Sequence, residues 1–170
     1  IGFIFGGERG LYWRLSGDDN LRYFASLYGI DPSVSKKRIP YLMELVGLKG
    51  RGNERVGGYS RGMKQRLHVA RTLLHDPDIL FLDEPTIGLD PVGAREFRNV
   101  ILDLQSQKKT ILLTTHYMFE ADALCNRIAI INHGRIIAID TPSGLKSHVS
   151  DLNVVEVETF GAPDSVIEKL

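Results

Sequence analysis

Residues 78–91 read DILFLDEPTIGLDP, and within them Ile79, Leu80, Phe81 and Leu82 form an apolar run without alternation. Such a run predicts a central parallel strand covered on both faces. It delivers Asp83 and Glu84 to the C-terminal edge of that strand, which in open α/β sheets is where ligands bind. A carboxylate there can hold Mg²⁺ directly or through water. A second carboxylate beside it, pointing the other way, can orient or deprotonate a water molecule. The plainer alternative is that the pair caps the following turn, with Pro85 fixing it.

Strands and helices alternate outward from this stretch. Upstream, Ser60 caps a helix whose apolar residues Met63, Leu67, Ala70 and Leu74 recur at helical spacing, and His75-Asp76-Pro77 stops it. Further upstream, Ile1 to Phe5 is a short strand, and Gly6, Gly7 and Gly10 mark a loop. Asp18-Asp19-Asn20 offers a cap for a helix through Leu21, Phe24, Leu27 and Tyr28, closed by Gly29. Asp31-Pro32 opens a second helix, which Pro40 weakens by removing a donor. Downstream, Arg95 to Leu104 is helical, Thr110 to Thr114 is a β-branched strand, and Tyr117 to Cys125 is a short helix. Arg127 to Asn132 is a strand that turns at Gly134 and returns over Ile136 to Ile139, where Thr141-Pro142 ends it. Val154 to Val157 begins another strand. The alternation predicts an α/β fold with a mostly parallel sheet.

Composition narrows the function classes. The chain has 170 residues, 21 basic and 21 acidic, for a formal net charge of zero. That balance argues against a domain relying on a broad basic surface, so no nucleic acid partner is expected. Apolar residues make up 43% of the chain, which excludes a disordered polar one. Cys125 is the single cysteine and cannot form an internal disulfide, which fits a reducing compartment. No apolar run approaches the roughly 18 residues needed to span a bilayer, and no signal peptide opens the chain. Without an initiator Met, with a strand already in progress at Ile1 and a helix beginning over Ser165 to Leu170, the chain is expected to be a segment of a longer protein.

Two further sites have their own logic. Ser60 offers a hydroxyl and Gly62 allows close backbone approach, both at a helix start, where free N–H groups and the dipole favour an anion. As a plain alternative, Ser60 serves only as the cap. His116 follows a buried strand on the same sheet edge as Asp83, which distinguishes it from His68, His75, His133 and His148, read as packing or surface residues. The histidines and the cysteine show no zinc-ligand spacing.

Taken together, these strings resemble the ATP-binding cassette (ABC) ATPases. Residues 78–91 resemble the Walker B segment, catalytic glutamate and D-loop. Tyr59 to Arg66, YSRGMKQR, resembles the signature motif LSGGQ with its Gln-Arg continuation, and Leu113-Thr114-Thr115-His116 resembles the switch-histidine strand end. The three occur in family order at family separations, a far more specific signal than any one string. The resemblance implies a P-loop NTPase-type fold, a mostly parallel sheet flanked by helices with an inserted helical subdomain, truncated at its N-terminus. It implies ATP and Mg²⁺ as ligands. Asp83 would hold Mg²⁺ through water, Glu84 would polarise the attacking water, and His116 would contact the γ-phosphate. Asp90 would lie in the loop communicating between paired domains. Ser60, Arg61 and Gly62 would face the ATP of a second ABC domain in a head-to-tail dimer.

The pattern departs in places. Tyr59 stands where the family has leucine, Arg61 where it has glycine and Met63 where it has glutamine. These variants resemble the branch that powers multidrug, antibiotic and polysaccharide export. No G-x-x-x-x-G-K-[ST] string occurs in the 170 residues, so the phosphate-wrapping loop is expected upstream. Gly6 or Gly7 stands where the family's Q-loop glutamine is expected, with Glu8 the nearest polar substitute. Leu11-Tyr12-Trp13 reads either as a surface for a permease's coupling helix or as helical-subdomain core. Residues 1–152 then read as a partial ABC ATPase domain, with its helical subdomain over about 19–58, and residues 153–170 as the start of a C-terminal accessory region.

The function implied is the ATP-binding and ATP-hydrolysing subunit of an ABC exporter, peripheral on the cytoplasmic side of the cell membrane and bound to a membrane permease. The alternatives are a soluble ABC ATPase of translation or DNA repair, and a catalytically inactive regulatory cassette. Against the first stand the short helical region and neutral charge, and against the second stand Glu84 and His116.

Overall fold

The computed structural model describes residues 1–4 and 10–149. Gly7, Glu8, the expected strand at Val154 and the accessory region 153–170 lie outside them. The chain divides into two compact units, Ile1–Leu124 and Cys125 onward.

Three parallel strands form the sheet of the first unit: β1 (Gly2–Ile4), β2 (Ile79–Asp83) and β3 (Thr110–Thr114), in that spatial order. β2 is therefore central, with Phe81 paired to Phe3 on one side and Leu112 on the other. Among the described residues, one face of β2 is covered. Leu80 and Leu82 are buried, but Ile79 is exposed, as are Phe3 at 51% and Leu112 at 55%. The described residues close only the Leu80 and Leu82 face, and on the other Phe3 and Phe81 stack at 4.9 Å. On the covered face, Gly2 lets a helix approach β1 closely, since a Cβ there would collide with the Thr72 side chain.

Between β1 and β2 the chain makes α1 (Gly17–Leu27), α2 (Pro32–Leu45) and α3 (Arg61–Thr72), while α4 (Pro91–Ser106) follows β2 and α5 (Met118–Leu124) follows β3. The α1 cap is not Asp18-Asp19-Asn20. Ser16 caps it, its Oγ accepting from the Asp19 N–H at 3.1 Å and donating to the Asp19 carboxylate at 2.6 Å. Asn20 is fully buried. Its amide donates to the carbonyls of Tyr12 at 3.0 Å and Ser16 at 2.9 Å, and its oxygen accepts from the Tyr12 N–H at 2.8 Å. A buried amide is tolerated because these bonds replace its water, and they tie the loop before α1 to the helix. Asp31 caps α2 through the Ser33 N–H at 2.7 Å, and α2 continues past Pro40. Leu11 joins the core, whereas Tyr12 and Trp13 are exposed.

α3 follows the expected periodicity, with Leu67 and Ala70 wholly buried and Met63 half-buried, and Leu74, just past its end, is buried as well. His68 shares that face at 4% exposure, and burial, with Arg71 adding repulsion, pushes its pKa down to about 4. A histidine in the unfolded chain titrates near about 6.5. Below that pH the unfolded state takes up a proton that the folded state refuses. This contribution to stability is therefore full above roughly pH 6.5 and is lost progressively as pH falls toward about 4, by roughly 3 kcal/mol in all. Urea titrations across that window should show the loss, and His68→Gln should flatten it. A curve unchanged by the substitution would place the acid sensitivity elsewhere.

The second unit is a hairpin and a helix. β4 (Ile128–Asn132) and β5 (Arg135–Asp140) pair antiparallel. The two connecting residues, His133 and Gly134, have φ of 46° and 73°, which suits the tight turn favoured between twisted strands. Thr141-Pro142, expected only to end the hairpin, also opens a helix, α6 (Pro142–Val149). The Thr141 Oγ1 accepts from the Gly144 N–H at 3.1 Å, so the Thr-Pro pair starts a helix rather than merely ending a strand. Among the described residues, no helix is long and apolar enough to cross a membrane.

Candidate functional site

Asp83 ends β2, Thr114 ends β3, and the two are partners in register. The Thr114 hydroxyl donates to Asp83 Oδ1 at 2.6 Å, fixing one carboxylate oxygen. That hydroxyl also accepts from the Glu84 N–H at 3.1 Å, as does the Thr114 carbonyl at 3.1 Å. Glu84 itself has a φ of 45°. The left-handed region costs a side-chain-bearing residue roughly 1–2 kcal/mol, and such strain concentrates where function needs an unusual direction. Here the bend ends the strand and turns the Glu84 side chain toward the residue after β3.

That residue's neighbour is His116. Its Nδ1 lies 2.9 and 2.8 Å from the two Glu84 carboxylate oxygens. Since a carboxylate only accepts, Nδ1 carries the proton in this contact, and Nε2 makes no protein hydrogen bond among the described residues. Glu84 is about one-third exposed and His116 about half. Residues from two separate strings, Asp83 with Glu84 and His116, thus meet at one sheet edge. The contact between the last two is invisible in sequence, because no local pattern links positions so far apart.

Ser60, Arg61 and Gly62 stand at the head of α3. Ser60 is its cap, accepting from the Met63 N–H at 3.2 Å, and the N–H groups of Arg61 and Gly62 precede the first internal bond of the helix. Both readings of Ser60 therefore use the same helix end. Tyr59, in place of leucine, is buried, and its hydroxyl donates to the Arg51 carbonyl at 2.7 Å. Burial pushes its pKa up to about 12. The phenol anchors the start of the motif to the preceding loop.

The head of α3 lies against the start of α4. A Cβ on Gly62 would stand 3.9 Å from both Gly93 Cα and Leu89 Cδ2. Asp90 caps α4, its Oδ1 accepting from the Gly93 N–H at 3.2 Å. The Arg61 guanidinium packs on Gly88, whose φ of 70° and lack of a side chain make room for it. This same-chain contact of Arg61 was not expected from sequence. Arg61, Gln65, Glu84 and Leu89 line one narrow crevice, so the helix-head group and the carboxylate group are neighbours. Gly7 and Glu8, named as Q-loop substitutes, lie outside the described residues.

The arrangement offers acceptors and one imidazole at a sheet edge, beside a helix N-terminus. Among the described residues no cluster of three or more His, Cys, Asp or Glu forms a metal cage. Mg²⁺ does not require one, since it typically takes one or two carboxylates and completes its shell with water and substrate phosphates. Asp83, exposed at the strand end with one oxygen fixed by Thr114, fits that donor set.

The family model for ABC transporters matches residues 5–87. The ABC transporter ATP-binding protein NatA of Bacillus subtilis is 46% identical over 137 residues, covering 81% of this chain and 56% of that protein. A fluoroquinolones export ATP-binding protein of Mycobacterium tuberculosis is 49% identical over 138 residues, covering 79% and 44%. The Nod factor export ATP-binding protein I of Cupriavidus pinatubonensis is 44% identical over 139 residues, covering 82% and 43%. The chain thus spans about half the length of the curated relatives it matches. In fold it is similar to cbiO1 from Clostridium perfringens, described as part of the ABC transporter complex cbiONQ. The TM-score is 0.80 at 24% identity, covering 89% of this chain and 61% of that one.

Proposed function

Since the chain belongs to the ABC transporter family, we propose that the protein containing it is the ATP-hydrolysing subunit of an ABC exporter, docked through a permease on the cytoplasmic side of the membrane. The observation that carries the reading is the Glu84 carboxylate bonded to His116 at 2.8 Å beside Asp83. The relatives named as export ATP-binding proteins support the direction of transport. The stretch from about 19 to 58, which holds α1 and α2, is read as the helical subdomain.

In this reading the reaction is in-line transfer of the γ-phosphoryl group to water, with positioning and electrostatics supplying the catalysis. Glu84 accepts the proton of the attacking water, and the imidazole at Nδ1 holds its carboxylate in one orientation. His116 would contact the γ-phosphate and help hold the geometry. Asp83 would hold Mg²⁺, which when bound offsets charge on the phosphate oxygens. Ser60, Gly62 and the backbone of Arg61 offer donors to the ATP of a second copy in a head-to-tail dimer, with Asp90 in the communicating loop. Gly7 and Glu8 would stand at the Q-loop position, which binds Mg²⁺ and meets the permease.

The test is phosphate release from MgATP by the full-length protein, alone and with its permease. Turnover that stops when a chelator removes Mg²⁺ is expected. No turnover in either state would overturn the ATPase reading.

A further inference from the structure

Glu120 is the buried carboxylate to which the reaction above gives no role. It sits in the first turn of α5 at 3% exposure, while its neighbours Met118 and Phe119 are 65% and 69% exposed. This inverts the usual arrangement, in which the acid would face water and the apolar residues would be inside. Burying a carboxylate is costly unless it is paired and hydrogen-bonded. Glu120 has two partners. Arg98 of α4 brings its Nη1 to 3.6 Å from Oε1, and the Thr115 hydroxyl donates to Oε2 at 3.0 Å. The helix N-terminus adds favourable dipole.

The Thr115 contact bears directly on the site. The same hydroxyl that donates to Glu120 accepts from the Tyr117 N–H at 3.0 Å. The residues on either side of His116 are thereby tied to one oxygen, closing a tight turn around the histidine. The Tyr117 ring also lies against the imidazole, with centroids 4.1 Å apart and planes inclined at 38°. A half-exposed imidazole bonded through one nitrogen would otherwise rotate about its side-chain torsions. Here its backbone is clamped from beneath and its ring is covered from one side.

We infer that Glu120 and Thr115 are positioning residues, a buried bracket between α4 and the end of β3 that holds the His116 imidazole against the Glu84 carboxylate. The inference rests on the ATPase reading only for its catalytic consequence. If Glu120 merely fastened α5 to α4, its pairing with Arg98 would suffice and the Thr115 hydroxyl would be dispensable.

The test uses the full-length protein with Thr115→Val, which removes the hydroxyl at nearly constant shape, and Thr115→Ser, which keeps it. The kcat and KM for ATP are measured alongside the ring carbon–proton resonance of His116, assigned by its loss in His116→Gln. Thr115→Val should lower kcat by about ten- to a hundredfold, the scale of small misplacements in an active site. Its KM should stay within about twofold and its His116 resonance should move, and Glu120→Gln should shift the resonance in the same direction. Thr115→Ser should preserve both readouts. A His116 resonance unmoved by Thr115→Val overturns the bracket, and a moved resonance with unchanged kcat overturns its role in positioning. Absence of turnover in the wild type counts against the ATPase reading instead, and the resonance comparison still decides the bracket.

Discussion

Glu84→Gln in the full-length protein is expected to lower steady-state phosphate release by at least about a hundredfold, the usual scale for losing a general base. The amide keeps the size of the side chain and can still accept from His116 Nδ1, so the 2.8 Å contact has a replacement. What it loses is the ability to take a proton from water. The Asp83 and Thr114 bond at 2.6 Å lies on the neighbouring residues and does not involve the Glu84 side chain, so nucleotide binding should survive and the ATP-bound dimer should accumulate. Equilibrium binding of MgATP and phosphate release, measured on the same preparation, separate the two effects. Unchanged turnover would remove Glu84 from the mechanism and leave its left-handed backbone without a catalytic explanation.

Ser60→Arg is expected to abolish nucleotide-driven dimerisation. The substitution has two components, and a second variant separates them. Losing the hydroxyl that accepts from the Met63 N–H costs about 1 kcal/mol of helix stability, and Ser60→Ala reproduces that part. Only arginine also places a long side chain across the free N–H groups at the head of α3. Sedimentation or light scattering with ATP, on the Glu84→Gln background to prevent turnover, should show dimers without the Ser60→Arg change and monomers with it. Ser60→Ala should remain close to the parent. Intact dimerisation in Ser60→Arg would mean that Ser60 is a cap and nothing more.

Much of this fold is legible in the sequence because its signals are local. The unbroken apolar run at 79–82 marks the central strand, and the Ser60 cap before a four-three-four periodicity marks α3. Signals that need a partner elsewhere are not legible. Asn20 stands in a polar triplet that reads as a cap, yet it is buried because its amide meets the backbone of Tyr12 and Ser16. At the site, Asp83, Glu84 and His116 are individually visible as polar residues at strand ends. Their mutual geometry depends on the pairing of β2 with β3, and the bracket at Glu120 depends on α4 as well. Glu120 is hidden by its neighbours, because a short helix reading Met118, Phe119, Glu120 predicts the opposite burial. The α6 start, by contrast, was readable from Thr141-Pro142 as a cap followed by a first-turn proline.

In the proposed dimer the hydrolytic site combines Glu84 from one subunit with Ser60 from the other. It is tested most directly by mixing two inactive full-length variants, Ser60→Arg and Glu84→Gln, and measuring phosphate release from MgATP. In a head-to-tail heterodimer one site receives both lesions and the other receives neither. The mixture should therefore regain phosphate release that neither variant shows alone, carried by the intact site of each heterodimer. A mixture as inactive as either variant alone would contradict the shared site.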